Sequence, residues 1–155
     1  KYLAELWHSN PLWINKKTAT EQGIRDGDLV RVSSEAGHMV TKAWLTQGIH
    51  PQVVGISTSV GRSSYGRVSR ANPEAKAIFA RASQHDEDID HNLWWRDPGV
   101  NPNDIIPISI DSSSGVQAWN DTVVSVSAAK SGDKYGDIEA DNEKHMAIYR
   151  RMLNA

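Results

Sequence analysis

The densest group of side chains able to do chemistry is "HDEDIDH", His85 to His91. Carboxylates flanked by imidazoles can ligate a divalent cation. Six ionisable groups within seven residues of a polar stretch more often make a solvated loop, so no metal ligand is assigned there. His8, in "LWHSNP", lies between a tryptophan and turn-forming residues. As a general base it would need an oriented nucleophile, and its neighbours suggest none. As a hydrogen-bond partner for a polar ligand it needs only position, and loop packing explains it equally well. His38 after Gly37 and His50 before Pro51 read as exposed turn residues. "TSVGRSSYGR", Thr58 to Arg67, follows an apolar run and joins glycines, hydroxyls and two arginines. Glycine permits close backbone approach, hydroxyls and amides donate to anionic oxygens, and arginine supplies a planar cation. The segment matches neither the P-loop nor the dinucleotide fingerprint, and a plain surface loop is the alternative reading. "GVNPNDIIPISIDSSSGVQAWNDTVVSV", Gly99 to Val126, has no Ser-His pair and no metal-ligand cluster. It does gather Asn101, Gln117, Trp119 and Asn120. Carboxamides donate and accept at once. The segment shows no obvious chemistry of its own, and no catalytic residue is assigned.

Composition narrows the classes further. The 155 residues suffice for one domain with a real core. A net charge of −2 with 23% charged residues favours neither nucleic acid nor an anionic membrane. Six tryptophans against one phenylalanine provide flat faces, suited to rim packing and to flat ligands alike. The absence of cysteine excludes disulfides, zinc–thiolate sites and iron–sulfur ligation within these residues. No apolar run is long enough to span a bilayer, and no signal peptide is visible. The start at Lys1, directly in an apolar-patterned stretch, reads as a processed chain or a piece of a longer one.

Short glycine-punctuated elements must position these side chains. A strand is expected at Leu12 to Ile14, then a short helix in "KKTATEQG" with Gly23 as its left-handed stop. A turn at Asp26-Gly27 leads to a strand with Val30 and Val32 on one face. "EAG" turns the chain into "HMVTKAWL", where Val40 alternates with Thr41, Ala43 and Leu45. Val53 to Ile56 forms a third, buried strand. From Gly61 to Asp97 the text turns polar, with a helix starting at Asn72-Pro73, and reads as an insertion or long crossover. Strands resume at Ile105 to Ile110 and Thr122 to Ser127. "SGDKYGD" is a flexible joint. A tail helix carries Ile138, His145, Met146, Tyr149, Met152 and Leu153 on one face and packs on the domain or on a partner. The pattern is that of a small barrel.

The order of these pieces resembles a known family. "NP-x-W-I-N", then "A-x-x-x-G-I-x-D-G-D-x-V-x-V", "S-x-x-G" and "V-T-K-A" are similar to the opening of the C-terminal molybdopterin-dinucleotide-binding domain of the dimethyl-sulfoxide-reductase superfamily. "GVNPNDIIP" and "AWNDTVVSV" resemble its closing half. The likeness runs from about Tyr2 to Ser127, excluding most of the insertion. An arginine/threonine-rich segment usual before the first strand has no counterpart after Lys1.

The resemblance implies a mainly β fold, a six-stranded double-psi β-barrel of the aspartate-decarboxylase-like kind. Short helices, the polar insertion and a C-terminal helix would complete it. The barrel would occupy residues 1–130, with the insertion at about 66–97, and residues 131–155 would be linker and tail helix. The implied cofactor is molybdopterin guanine dinucleotide, in its bis form, with molybdenum or tungsten held by other domains. The chain would clamp that cofactor and catalyse nothing alone. The implied partners are the remaining domains of a parent oxidoreductase and an iron–sulfur electron-transfer subunit, without nucleic acid or direct membrane insertion. The closing motif suggests the branch that reduces sulfur or arsenic oxyanions. A prokaryotic periplasm or cytoplasm follows from the resemblance alone. Matched position by position, Asn101 and Asn120 contact the cofactor, with Gln117 and Trp119 beside Asn120. His8, Ser9 and Asn10 form the first loop, and Ser59, Gly61 and Arg62 follow the third strand. The rival reading is a pterin-free double-psi barrel serving as a protein-binding or adaptor module. A small self-contained enzyme on the same barrel, such as a decarboxylase, lacks an evident nucleophile.

Overall fold

The computed structural model describes residues 9–61, 99–111 and 113–154. His8, Arg62, the helix expected after Asn72 and the His85–His91 cluster lie outside the described residues. The chain divides into two units, one of residues 12–56 with 102–155, the other of residues 1–11 with 57–101.

The larger unit is mainly β, a curled six-stranded sheet. Strand β1 (Leu12–Asn15) alternates buried Leu12 and Ile14 with exposed Trp13. Its last residue starts helix α1 (Lys16–Glu21). Asn15 stays extended, its Oδ1 accepts from the Lys17 N–H at 2.9 Å, and its Nδ2 donates to the Ile49 carbonyl at 2.6 Å. Gly23, at φ 70°, ends the helix as the sequence leads one to expect. Strands β2 (Leu29–Ser34) and β3 (Gly37–Thr46) form an antiparallel hairpin with Val30 opposite Thr41 and Val32 opposite Met39.

Beyond the hairpin, β3 becomes the organising strand of the sheet. Its far end runs parallel to β1, Leu12 opposite Ala43. Strand β4 (Val54–Gly55) pairs with β1, and β5 (Ser125–Ala128) pairs with β2, Val126 opposite Val32. Strand β6 (Ile138–Ala140) pairs with the beginning of β3. Leu12, Ile14, Ala19, Ile24, Val30, Val32, Met39, Val40, Ala43 and Ile105 are buried and make the core of this unit. On the outer face Trp13 and Trp44, register neighbours, meet edge to face with ring centres 4.8 Å apart.

Several expectations are corrected. Met39, Val40 and Thr41 are all buried, so β3 alternates only beyond Thr41. Over Met39–Thr41 both faces of the strand are covered, which removes the two-residue period there. Val53 to Ile56 shrinks to a two-residue strand, with Val53 half exposed. Ile105 to Ile110 is no strand. Pro102–Ile105 is a 3₁₀ turn, and only Ile110 bridges, to Gln117 across a tight loop. Pro107, inside the run, lacks the amide a ladder needs. The Thr122 to Ser127 strand starts only at Ser125.

The segment Ser131 to Asp137, expected to be a flexible joint, is pinned at several points. Gly136 N–H donates to the Val40 carbonyl, and Val40 N–H to the Asp137 carbonyl, both at 2.9 Å. Asp133 takes Arg31 in a two-pronged pair, Nη2 to Oδ1 at 2.5 Å and Nε to Oδ2 at 3.0 Å. Helix α2 (Asn142–Leu153) is capped by Asp141, whose side chain accepts from the Lys144 N–H. The helix rests on the same unit. His145 Nε2 lies 3.1 Å from the Asp104 carbonyl, and the Arg151 guanidinium meets both Glu35 carboxylate oxygens at 3.1 Å. Its half-buried face is His145, Ile148, Tyr149 and Met152, whereas Met146 and Leu153 are exposed and Ile138 belongs to β6. Among the described residues no helix is long and apolar enough to cross a membrane.

The Arg31–Asp133 pair has a pH signature. The Arg31 guanidinium, then the Lys130 N–H, hold the Asp133 carboxyl down at about 2. An unfolded aspartate titrates near ~3.9. The pair's contribution to stability is therefore complete above about pH 5 and is lost as pH falls from about 4 to about 2. Asp133→Asn is expected to remove that part of the acid dependence, read as tryptophan fluorescence against pH. A wild-type-like acid profile in the variant would contradict it.

Candidate functional site

The smaller unit contributes Ser9–Pro11, Ser57–Gly61 and Gly99–Asn101 to the described residues. Asn10 is 1% exposed and sits among the three segments. Its Nδ2 donates to the Ser57 carbonyl at 2.8 Å and to the Val100 carbonyl at 2.5 Å, and its Oδ1 accepts from the Val100 N–H at 2.7 Å. Segments 47 and 90 residues away are thus joined through one carboxamide. The strand-like pairing on Val100 uses a side chain in place of a neighbouring backbone.

Glycines let the segments close on one another. A Cβ on Gly61, at φ 82°, would overlap the Val100 carbonyl carbon and the Asn101 nitrogen. One on Gly99, at φ 79°, would overlap Asn10 Oδ1 and come within 2.7 Å of Val60 Cγ1. Both glycines and Val100 are buried, Asn101 and Ser9 are half-buried, and Ser59 is exposed. Of the residues proposed from sequence, Ser9, Asn10, Ser59, Gly61 and Asn101 therefore lie in one loop cluster.

Gln117, Trp119 and Asn120 lie in the other unit. They follow a tight loop in which Asp111 N–H donates to the Val116 carbonyl and Ala118 N–H to the Ser109 carbonyl. Gln117 Nε2 reaches the Pro107 carbonyl at 3.3 Å. The Ser113 N–H, then the Ser114 N–H, donate to the Asp111 carboxylate and hold it below the usual carboxylate range. Trp119 is 52% exposed and Asn120 is exposed. Sequence reasoning overlooked Gly99 and Val100, whose contribution is backbone. Only the glycine before an apolar residue hinted at a close approach.

Among the described residues no three His, Asp or Glu side chains come together as a metal site. Amides, hydroxyls and tightly folded backbone are what the loops offer. The fold is that of a mainly β domain whose loops present amides and hydroxyls. Residues 1–123 match the family described as the molydopterin dinucleotide binding domain, and the chain belongs to that family, within the dimethyl-sulfoxide-reductase superfamily. It is 35% identical over 109 residues to the molybdopterin-containing subunit ArrA of the arsenate respiratory reductase of Chrysiogenes arsenatis. That match covers 70% of this chain and 11% of the relative. It is 34% identical over 59 residues to the molybdopterin-containing subunit PhsA of the thiosulfate reductase of Salmonella typhimurium, covering 38% of this chain and 8% of the relative. The chain thus spans about a tenth of the length of these curated relatives.

The residue types present have the chemistry that the organic part of such a cofactor would need. A pterin edge is a row of alternating donors and acceptors, and carboxamides such as those of Asn101, Gln117 and Asn120 can pair with either kind. A buried heterocycle left without such partners would carry a desolvation cost.

Proposed function

We propose that this chain clamps the guanine dinucleotide form of the pterin cofactor in a larger molybdenum or tungsten oxidoreductase. Its framework is a double-psi β-barrel over residues 1–130, and residues 131–155 are an appended tail. The observation that carries the reading is the loop cluster of Ser9, Asn10, Ser59, Gly61 and Asn101, whose backbone is drawn together by glycines and one buried carboxamide. His8 and Arg62, outside the described residues, are proposed as cofactor contacts from the sequence alone. Gln117, Trp119 and Asn120 form a second, separate set of contacts, an amide pair and a flat face. When bound, the cofactor supplies the metal and the redox chemistry. This chain's residues bind and orient it, and none of them is catalytic.

The similarity to subunits of an arsenate respiratory reductase and a thiosulfate reductase supports a parent enzyme that reduces an arsenic or sulfur oxyanion. Such a parent would pair this chain with further domains of its own and with an iron–sulfur electron-transfer subunit. The test is metal analysis and extraction of released pterin nucleotide from the purified parent. Molybdenum or tungsten with guanine-bearing pterin is expected. A parent with neither would overturn the reading in favour of a pterin-free binding module. Asn101→Leu and Asn120→Leu are each expected to lower pterin retention by about fivefold or more, since each leaves ligand groups unpaired at about 1–3 kcal/mol. The sheet should remain folded in both variants, and unchanged pterin content in both would refute the contact assignments.

A further inference from the structure

We propose that Asn10 is a positioning residue that acts on the cofactor through Asn101, by holding the peptide immediately before it, and makes no contact of its own with the cofactor. The proposal rests on the cofactor-binding reading and specifies how one member of the site works. Both hydrogens of the Asn10 carboxamide are engaged, one on the Ser57 carbonyl and one on the Val100 carbonyl, and its oxygen accepts from the Val100 N–H. A group that must donate twice and accept once, in a fixed plane, is a carboxamide. A carboxylate offers no donor, and a hydroxyl offers only one.

Its target is significant. Asn10 holds both the N–H and the carbonyl of Val100, so the two peptide units that flank Val100 are both fixed, and the second of them is the peptide that leads into Asn101. The remaining freedom of that peptide is removed by close packing. Gly61 lies directly on the Val100–Asn101 junction, and Gly99 lies on Asn10 Oδ1. Asn101, half-buried, follows directly on this held segment. A ligand that meets an already ordered loop avoids the entropy of ordering it, and the gain appears as retention. A buried polar network that is fully satisfied is rigid, and one left half satisfied is not.

The test uses the intact parent enzyme carrying Asn10→Asp, Asn101→Leu, or both. Asn10→Asp keeps the shape and the acceptor for Val100 but turns a carboxylate oxygen toward two carbonyls. Two readouts are needed: pterin retained per protein after extensive dilution, and amide hydrogen exchange at Val100, Asn101 and the β2–β3 hairpin. The expected result for Asn10→Asp is about tenfold lower retention. Val100 and Asn101 should exchange faster while the hairpin keeps its protection. In the double variant, retention should fall little below that of Asn101→Leu alone, because Asn10 acts through Asn101. Independent, multiplicative losses would overturn the proposal, as would unchanged retention in Asn10→Asp. Loss of hairpin protection together with retention would also overturn it, by showing a general folding role. If Asn10→Asp does not fold, Asn10→Ser, which keeps one donor and one acceptor, is put through the same two readouts and must show the same non-additivity. Failure of the cofactor reading itself is distinguishable, because the unmodified parent would then contain no pterin.

Discussion

Gly61→Ala is expected to force the loop cluster open and to empty the parent enzyme of its pterin. Two costs combine at this position. The backbone stands at φ 82°, where an L side chain is strained by roughly 1–3 kcal/mol. The new Cβ would also overlap backbone atoms of Val100 and Asn101, and overpacking of this kind costs about 1–3 kcal/mol more. Backbone cannot swing aside as a flexible side chain can, so the two loops must separate, carrying Val100 away from Asn10. Gly115→Ala is the control. It has a similar φ of 70° but open space around the added carbon, and it bears only the first cost. Pterin content and amide exchange at Val100 separate the two variants. Equal effects from both would show that the close approach at Gly61 is not what holds the loops.

Ile14→Ala is expected to be the most damaging truncation in the sheet. Ile14 is 1% exposed, faces the core, and pairs with Leu45 of β3 on one side and Val54 of β4 on the other. Removing its buried carbons costs about 2–5 kcal/mol, a large part of the roughly 5–15 kcal/mol that keeps a domain folded. The cost should appear as loss of amide protection along β1 and the adjoining half of β3. Trp13→Ala removes a larger side chain from the opposite, outer face, where the ring is 39% exposed. Its effect should be smaller than that of Ile14→Ala. The reverse order would mean that the faces of β1 have been assigned the wrong way round.

Legibility in the sequence followed the range of the forces involved. The order β1, α1, β2, β3 was readable because it is written in local signals: alternating Leu12 and Ile14, Asn15 before the helix, Gly23 after it, and Val30 and Val32 in step. Ile105 to Ile110 misleads because an apolar run looks the same in a strand and in a packed turn, and Pro107 carries the contrary information. Strand β6 was missed because its three residues have no period of their own and are extended only where β3 offers an edge. The tail helix was foreseen, but its buried face was displaced to include Ile148, since only its supports (Glu35 and the Asp104 carbonyl) decide which side is covered.

For the site, the amino-acid sequence by itself determined the chemistry on offer. Without cysteine there are no thiolate ligands, and Asn101, Gln117 and Asn120 bring carboxamides that suit a heterocycle's edge. It also carried the ordered motifs that place the chain in its family. What only the tertiary structure decided is which polar residue is buried against the framework. Asn10 and Asn101 are the same amino acid, each beside a proline, and nothing local distinguishes them. Asn10 is buried against the backbone of Ser57 and Val100, partners 47 and 90 residues away. Backbone amides and carbonyls are common to nearly every residue, so a side chain that binds them leaves no complementary mark in the sequence.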